Sequence, residues 1–342
     1  MTDAPGESAP STGSTAGAPG PARPDAPAEP LTRAASMRAA RNEFEMQVAH
    51  ARAEFEEANA RIKQRTGRDL ILAIVIGVAI GAIVLASLIF AKWPFAIVGG
   101  AVALLGVFEF VRALQGAGRR VDLIPQLIAG LLLVLSAVFL DPWLHWVSLF
   151  VAVALVIVCR LIGQMTARDG RVYASVLDDV LASGFIPVYV PFLASLALIL
   201  LRQENGEWWV LSFLIVAIAA DTGAYVTGLT LGKHPMAPRI SPKKTWEGFA
   251  GAAVASVIAG ILLAWLLLEL PWWTGIIFGL VVLGTATAGD LGESMVKRDL
   301  GIKDMSSWLP GHGGVLDRLD SILPSAVAGL ALYFVLAPLV LS

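Results

Sequence analysis

An all-α, polytopic integral membrane protein of about nine transmembrane helices is the fold class this sequence predicts, and three observations carry the prediction. Of 342 residues, 56% are hydrophobic and only 15% charged, a balance that excludes a soluble globule. Apolar runs of roughly 18 to 22 residues recur, each long enough to cross a hydrocarbon core of about 30 Å as a helix, the form that satisfies its own backbone in lipid. The basic residues sort by loop: of 25 Lys and Arg, only Lys92 and Arg202 fall outside the segments that alternate crossings place together. That asymmetry puts the N-terminus in the cytoplasm.

Residues 1–35 are Ala, Pro, Gly, Ser and Thr with few large apolar side chains, and are expected to form a disordered tail without the apolar stretch of a signal peptide. Residues 36–68 predict a charged juxtamembrane helix, with Phe44, Val48, Phe55 and Ile62 on a partial stripe. The membrane domain then covers 69–342, with spans near 70–91, 95–114, 123–140, 143–162, 181–201, 208–231, 249–268, 272–290 and 318–341. This odd number puts the C-terminus outside. Trp93, Trp143, Trp146, Trp208, Trp209, Trp272 and Trp273 fall at the non-cytoplasmic ends, where an aromatic belt belongs. The lone cysteine, Cys159, lies in an apolar run, so no intrachain disulfide forms. A net charge of −2 says nothing about nucleic acid, because the charges are sorted by loop, and no nucleic-acid partner is expected.

Several polar residues invite a bland reading. Glu109 and Arg112, three apart at the end of the second span, read as an interfacial ion pair, and Asp178 and Asp179 as a solvated edge before the fifth. His145, between two belt tryptophans, reads as interfacial. Asp221 differs, because it lies deep in the sixth span, followed by Thr222-Gly223-Ala224-Tyr225. An acid there costs ~2.5–3.5 kcal/mol on insertion scales, which favours a place facing a polar cavity over the alternative, a helix-packing hydrogen bond. After it comes Ser241-Pro242-Lys243-Lys244-Thr245-Trp246-Glu247-Gly248. By themselves its adjacent lysines read as topology determinants or lipid-surface contacts; the flanking Ser-Pro and Gly also allow an ordered anion-binding turn.

The stretch from Gly289 to Ser321, GDLGESMVKRDLGIKDMSSWLPGHGGVLDRLDS, concentrates charge between two apolar runs. Asp290, Ser294 and Lys297 are spaced to share one helix face, with Glu293 and Arg298 beside them. Carboxylates bind hard divalent cations, Lys and Arg bind phosphates, and glycines allow a backbone to approach a ligand closely. Together they predict metal-assisted phosphoryl or nucleotidyl transfer at the cytoplasmic membrane face.

Ser294-Met295-Val296-Lys297-Arg298, Lys303-Asp304 and His312-Gly313-Gly314-Val315-Leu316-Asp317-Arg318-Leu319-Asp320 resemble the signature of the phosphatidate cytidylyltransferases, or CDP-diacylglycerol synthases. The segments opening at Asp221 and Ser241 resemble that family too. The resemblance covers about residues 70–342 and implies an enzyme that joins CTP to phosphatidic acid, releasing pyrophosphate. It further implies Mg²⁺ or another divalent cation held by Asp290 and Asp317 with Ser294 nearby, and a homodimer. Lys297, Arg298 and Arg318 complete the implied catalytic set. Asp221, Lys243, Lys244, Lys303, Asp304, His312, Gly313, Gly314 and Asp320 are the implied substrate-binding residues. A polyprenol kinase or another CTP-using lipid enzyme would share this chemistry but not the complete pattern from Ser294 to Asp320. A transporter with Asp221 and Asp290 along an ion path would spread polar residues through the bilayer depth, whereas here they gather on one side.

Overall fold

The computed structural model describes residues 41–47, 49–50, 70–90, 92–167, 170–306 and 313–340. The chain divides into two units, Met1–Ala58 and Asn59–Ser342. In the first, residues 41–47 are helical, and Arg41 Nε meets Glu45 Oε1 one turn on at 2.8 Å. The expected tail over 1–35 and most of the expected helix over 36–68 lie outside the described residues.

In the second unit each expected apolar run holds a helix. They are α1 (Leu70–Phe90), α2 (Lys92–Gly116), α3 (Leu123–Phe139), α4 (Pro142–Thr166) and α5 (Tyr173–Pro187). A π-turn (Val188–Phe192) carries α5 into α6 (Leu193–Leu201), and α7 (Gly206–Leu231) follows. After an antiparallel hairpin, β1 (Pro235–Ala237) with β2 (Ser241–Thr245), come α8 (Trp246–Leu266), α9 (Trp272–Asp299), the single turn α10 (Leu316–Leu319) and α11 (Ile322–Leu336). Among the described residues seven spans are long and apolar enough to cross a membrane, counting α5–α6 and α10–α11 as continuous; Gly77–Phe90 of α1 and the 17-residue α3 are apolar but shorter. This is a multi-pass helical membrane protein.

Local chemistry explains the departures from expectation. The fifth span begins at Tyr173 and passes Pro187 and Pro191 without a break. Proline lacks an N–H and crowds the preceding turn, and the wider π-turn accommodates both effects. The eighth span runs on to Asp299 instead of ending near 290, and the polar residues of its last turns meet other protein groups: Asp290 meets Lys244, Lys297 meets Asp317 and Arg298 meets the Ile240 carbonyl.

The tightest packing joins α7, α8 and α9, and small residues allow it. A Cβ on Gly279 would lie 2.5 Å from the Ser256 carbonyl, and one on Gly260 would strike the Gly275 carbonyl. Gly223 likewise faces Ala255 across α7 and α8, where a Cβ would approach to 2.8 Å. With lipid as apolar as the helices themselves, such backbone approach supplies the association energy. α11 packs against α6, α7 and α9, closing the bundle over the polar end of α9.

Four bland expectations are corrected. Asp179 is 0% exposed; it accepts hydrogen bonds from Arg120 N (2.9 Å), Arg171 (2.5 Å) and Arg160 (3.4 Å). A carboxylate removed from solvent needs such partners, so it braces α4 and α5 and is no solvated edge. Glu109 does not pair with Arg112, which instead bonds Gln115 Oε1 and lies over the Phe108 ring. His145 is buried, its ring nitrogens 2.8 Å from Ser136 Oγ and 3.0 Å from Ser195 Oγ. Trp209, at 3% exposure, packs on Phe278 and Tyr333 and so is core, whereas Trp93, Trp143, Trp146, Trp272 and Trp273 are exposed.

Candidate active site

A cleft of about 440 Å³ opens at one end of the helices. Asp221 and Tyr225 come from α7, Lys243 and Lys244 from β2, Asp290 and Lys297 from α9, and Asp304, Asp317, Arg318 and Asp320 from the segment leading into α11. Five carboxylates and four cations from four parts of the chain thus meet on one surface.

The hairpin delivers its lysines because both ends are tied down. The Thr245 hydroxyl accepts the Gly248 N–H at 3.1 Å and caps α8. Glu247 accepts from Lys233 N (3.1 Å), His234 N (3.2 Å) and His234 Nδ1 (2.5 Å). At the turn, Arg298 Nε donates to the Ile240 carbonyl at 3.3 Å, pinning the hairpin to α9. Lys244 then reaches Asp290 Oδ2 at 2.5 Å.

On α9, Lys297 is central. Its Nζ lies 2.9 Å from Asp317 Oδ1 and 3.2 Å from Glu293 Oε1. The other Asp317 oxygen, Oδ2, accepts the N–H groups of Met305 (3.0 Å) and Gly314 (2.8 Å). Gly313 has φ of 85°, a left-handed backbone that glycine adopts without strain. Asp221 Oδ2 accepts the Ser321 hydroxyl at 2.8 Å, and Asp320 Oδ1 accepts Ser321 N at 2.7 Å. Gly289 lets the turn at Asp320 approach α9, since a Cβ there would strike the Asp320 carbonyl.

Nine of the residues singled out from the sequence line this cleft: Asp221, Lys243, Lys244, Asp290, Lys297, Asp304, Asp317, Arg318 and Asp320. Ser294 stands beside it, its hydroxyl donating to Asp290 Oδ1 across a long 3.4 Å. Arg298 and Lys303 are exposed and are not among the lining residues, Arg298 being the hairpin anchor instead. Gly313 and Gly314 shape the loop behind Asp317. His312 lies outside the described residues. Sequence reasoning missed Ser321 and Tyr225 and left Glu293 without a role. Glu293 is buried, and its position one turn before Lys297 was the signal that could have found it.

A hard, oxygen-rich cleft with fixed cations at one end of a multi-pass bundle defines a membrane enzyme for phosphate-bearing substrates. The chain belongs to the cytidylyltransferase family, whose pattern matches residues 71–336. It is 42% identical to the phosphatidate cytidylyltransferase of Mycobacterium bovis over 77% of this chain and 88% of that protein. The phosphatidate cytidylyltransferase of Synechocystis is 33% identical over 78% of this chain and 95% of its own length. That of Haemophilus influenzae is 31% identical over 72% and 91%.

Proposed function

We propose that this chain is a phosphatidate cytidylyltransferase that converts CTP and phosphatidic acid to CDP-diacylglycerol and pyrophosphate. The observation that carries the reading is the single cleft in which Lys244 and Lys297 stand against Asp290 and Asp317 at one end of the bundle. A phosphate oxygen of the lipid attacks the α-phosphorus of CTP. The new P–O bond forms as the bond to the β-phosphate breaks, and pyrophosphate leaves with the electron pair. The lipid phosphate is already an oxyanion, so no serine or cysteine nucleophile is needed. The barrier is bringing two polyanions together and stabilising the charge on the leaving group. Lys243, Lys244, Lys297 and Arg318 serve both needs through positioning and electrostatics.

The donor set fits a divalent cation such as Mg²⁺. Asp221, Asp290, Asp317 and Asp320 all offer hard carboxylate oxygens to the cleft. Among the described residues no three His, Cys, Asp or Glu form a closed cage. Mg²⁺ is held by one or two carboxylates plus substrate phosphates, so an open set suits it. We assign the ion to Asp290 and Asp317, with Ser294 beside Asp290. When bound, it would neutralise phosphate charge and orient the triphosphate.

The transfer chemistry belongs to residues 69–342; the segments before it carry none of the motifs. In this reading the cleft faces the cytoplasm, the enzyme works in the cell membrane as a homodimer, and the C-terminus lies outside. The test is product analysis of purified protein given labelled CTP, phosphatidic acid and Mg²⁺. CDP-diacylglycerol and pyrophosphate are expected. Transfer of the γ-phosphate to a lipid alcohol, with CDP released, would make the protein a kinase instead.

A further inference from the structure

Glu109 sits on α2, outside every motif behind the family resemblance, yet it is 1% exposed. Its carboxylate grips the signature segment at two points: Oε1 accepts the Ser306 hydroxyl at 2.6 Å, and Oε2 accepts the Leu316 N–H at 2.9 Å. Asp317 grips the same two strands of chain one step away, through Met305 N and Gly314 N. The two sets interleave, 305 and 314 on one carboxylate, 306 and 316 on the other. They also account for the paired glycines. A Cβ at 313 would sit 3.0 Å from Asp317 Oδ2, and one at 314 would sit 2.7 Å from Glu109 Oε2.

We propose that Glu109 is a positioning residue: it ties Ser306 to Leu316, two points ten residues apart in the segment between α9 and α11, and so sets the Asp317 carboxylate against Lys297. It is not among the residues that line the cleft. Its partners are a hydroxyl and a backbone amide, so what it supplies is two acceptor oxygens in fixed places. A buried N–H left unmet would shift to find another partner. Leu316 is the residue just before Asp317, so any such shift moves the reacting cleft directly.

The inference rests on the reading that Asp317 and Lys297 act on the substrates, which Asp317→Asn tests separately. The experiment compares Glu109→Leu, Glu109→Gln and Ser306→Ala in the purified full-length enzyme. It measures kcat, KM for CTP, thermal midpoint and gel-filtration profile for each. Leucine fills the space without accepting a hydrogen bond, and kcat per folded enzyme should fall about 10²-fold, the scale of an ångström's misplacement. Glutamine should restore most of it: its oxygen can meet Leu316 N–H while its amide donates to Ser306 Oγ, a hydroxyl that also accepts. Ser306→Ala, which removes one of the two holds, should fall between them. In the Asp317→Asn background, Glu109→Leu should cost little more, because it acts through the same carboxylate.

Loss of thermal midpoint in Glu109→Leu with kcat unchanged would overturn the proposal and leave Glu109 a simple brace. Glutamine as impaired as leucine would also overturn it, by showing that the negative charge itself is required. Normal turnover of Asp317→Asn would sink the underlying site reading; inactive Asp317→Asn with normal Glu109→Leu would sink this inference alone.

Discussion

Asp290 and Asp317 each face a lysine, but their remaining oxygens differ. Asp290 Oδ1 has the long bond from Ser294, while Asp317 Oδ2 holds two backbone N–H groups. Asn at either site removes negative charge from a cleft built to hold a cation, and turnover should fall on the order of 10²- to 10³-fold. Rescue should separate them. Excess Mg²⁺ or Mn²⁺ should recover part of the Asp290→Asn activity, because the loss there is one of metal affinity. Asp317→Asn should resist rescue. Its remaining oxygen must still meet Met305 N and Gly314 N, which points the new amide at Lys297 Nζ, donor against donor. Ser294→Ala should be milder than either, since the hydroxyl is neutral and its bond long. Turnover titrated against metal for all three variants, with gel filtration as the folding check, measures this. Full activity with unchanged metal dependence in either Asn variant removes that residue from the site.

Among the elements, the α8–α9 pair bears most directly on the cleft, because α9 carries Asp290 and Lys297 and α8 follows the lysine hairpin. Their backbones come close where Ser256 and Gly260 meet Gly275 and Gly279. Gly260→Val should drive a side chain into the Gly275 backbone, destabilising the protein by about 3 kcal/mol. Gly284→Ala is the control, since a Cβ at 284 meets nothing within 4 Å. It should hold or raise the thermal midpoint, alanine being the better helix former. Thermal midpoints in detergent read both; equal midpoints would show that the close crossing contributes nothing.

For the molecule as a whole, the charge asymmetry has a structural counterpart. Lys92 meets Glu207 at 2.9 Å and the Gln203 carbonyl, and Arg202 donates to the carbonyls of Ala137 and Leu140. The two basic residues that break the positive-inside pattern are therefore held by protein groups at the chain's turns. Topology should follow the pattern. Single cysteines at 243 and 342, in a chain whose Cys159 has been replaced, should label from the cytoplasmic and the outer side respectively in intact cells. Labelling of 342 from inside alone would overturn both the orientation and the odd number of crossings.

The membrane class was legible in the sequence because lipid imposes a simple rule on each span separately: about twenty apolar residues and a self-satisfied backbone. Nine residues of the cleft were named from the sequence: Asp221 and Asp290 because an acid within or at the end of an apolar run is too costly to leave without a use, the others chiefly because their segments resemble a known family's. Sequence spacing could relate Asp290 to Lys297, seven residues apart on one helix. It could not relate Glu109 to Leu316, 207 residues apart, so the glutamate read as the neighbour of Arg112. Asp179 misled for a similar reason, since two of its three arginines, Arg120 and Arg160, lie 59 and 19 residues away. Which helices cross closely enough to bring Lys244 to Asp290, and which buried carboxylate steadies the loop that carries Asp317, only the tertiary structure decided. A hydrogen bond depends on ångströms between groups that the chain order leaves far apart.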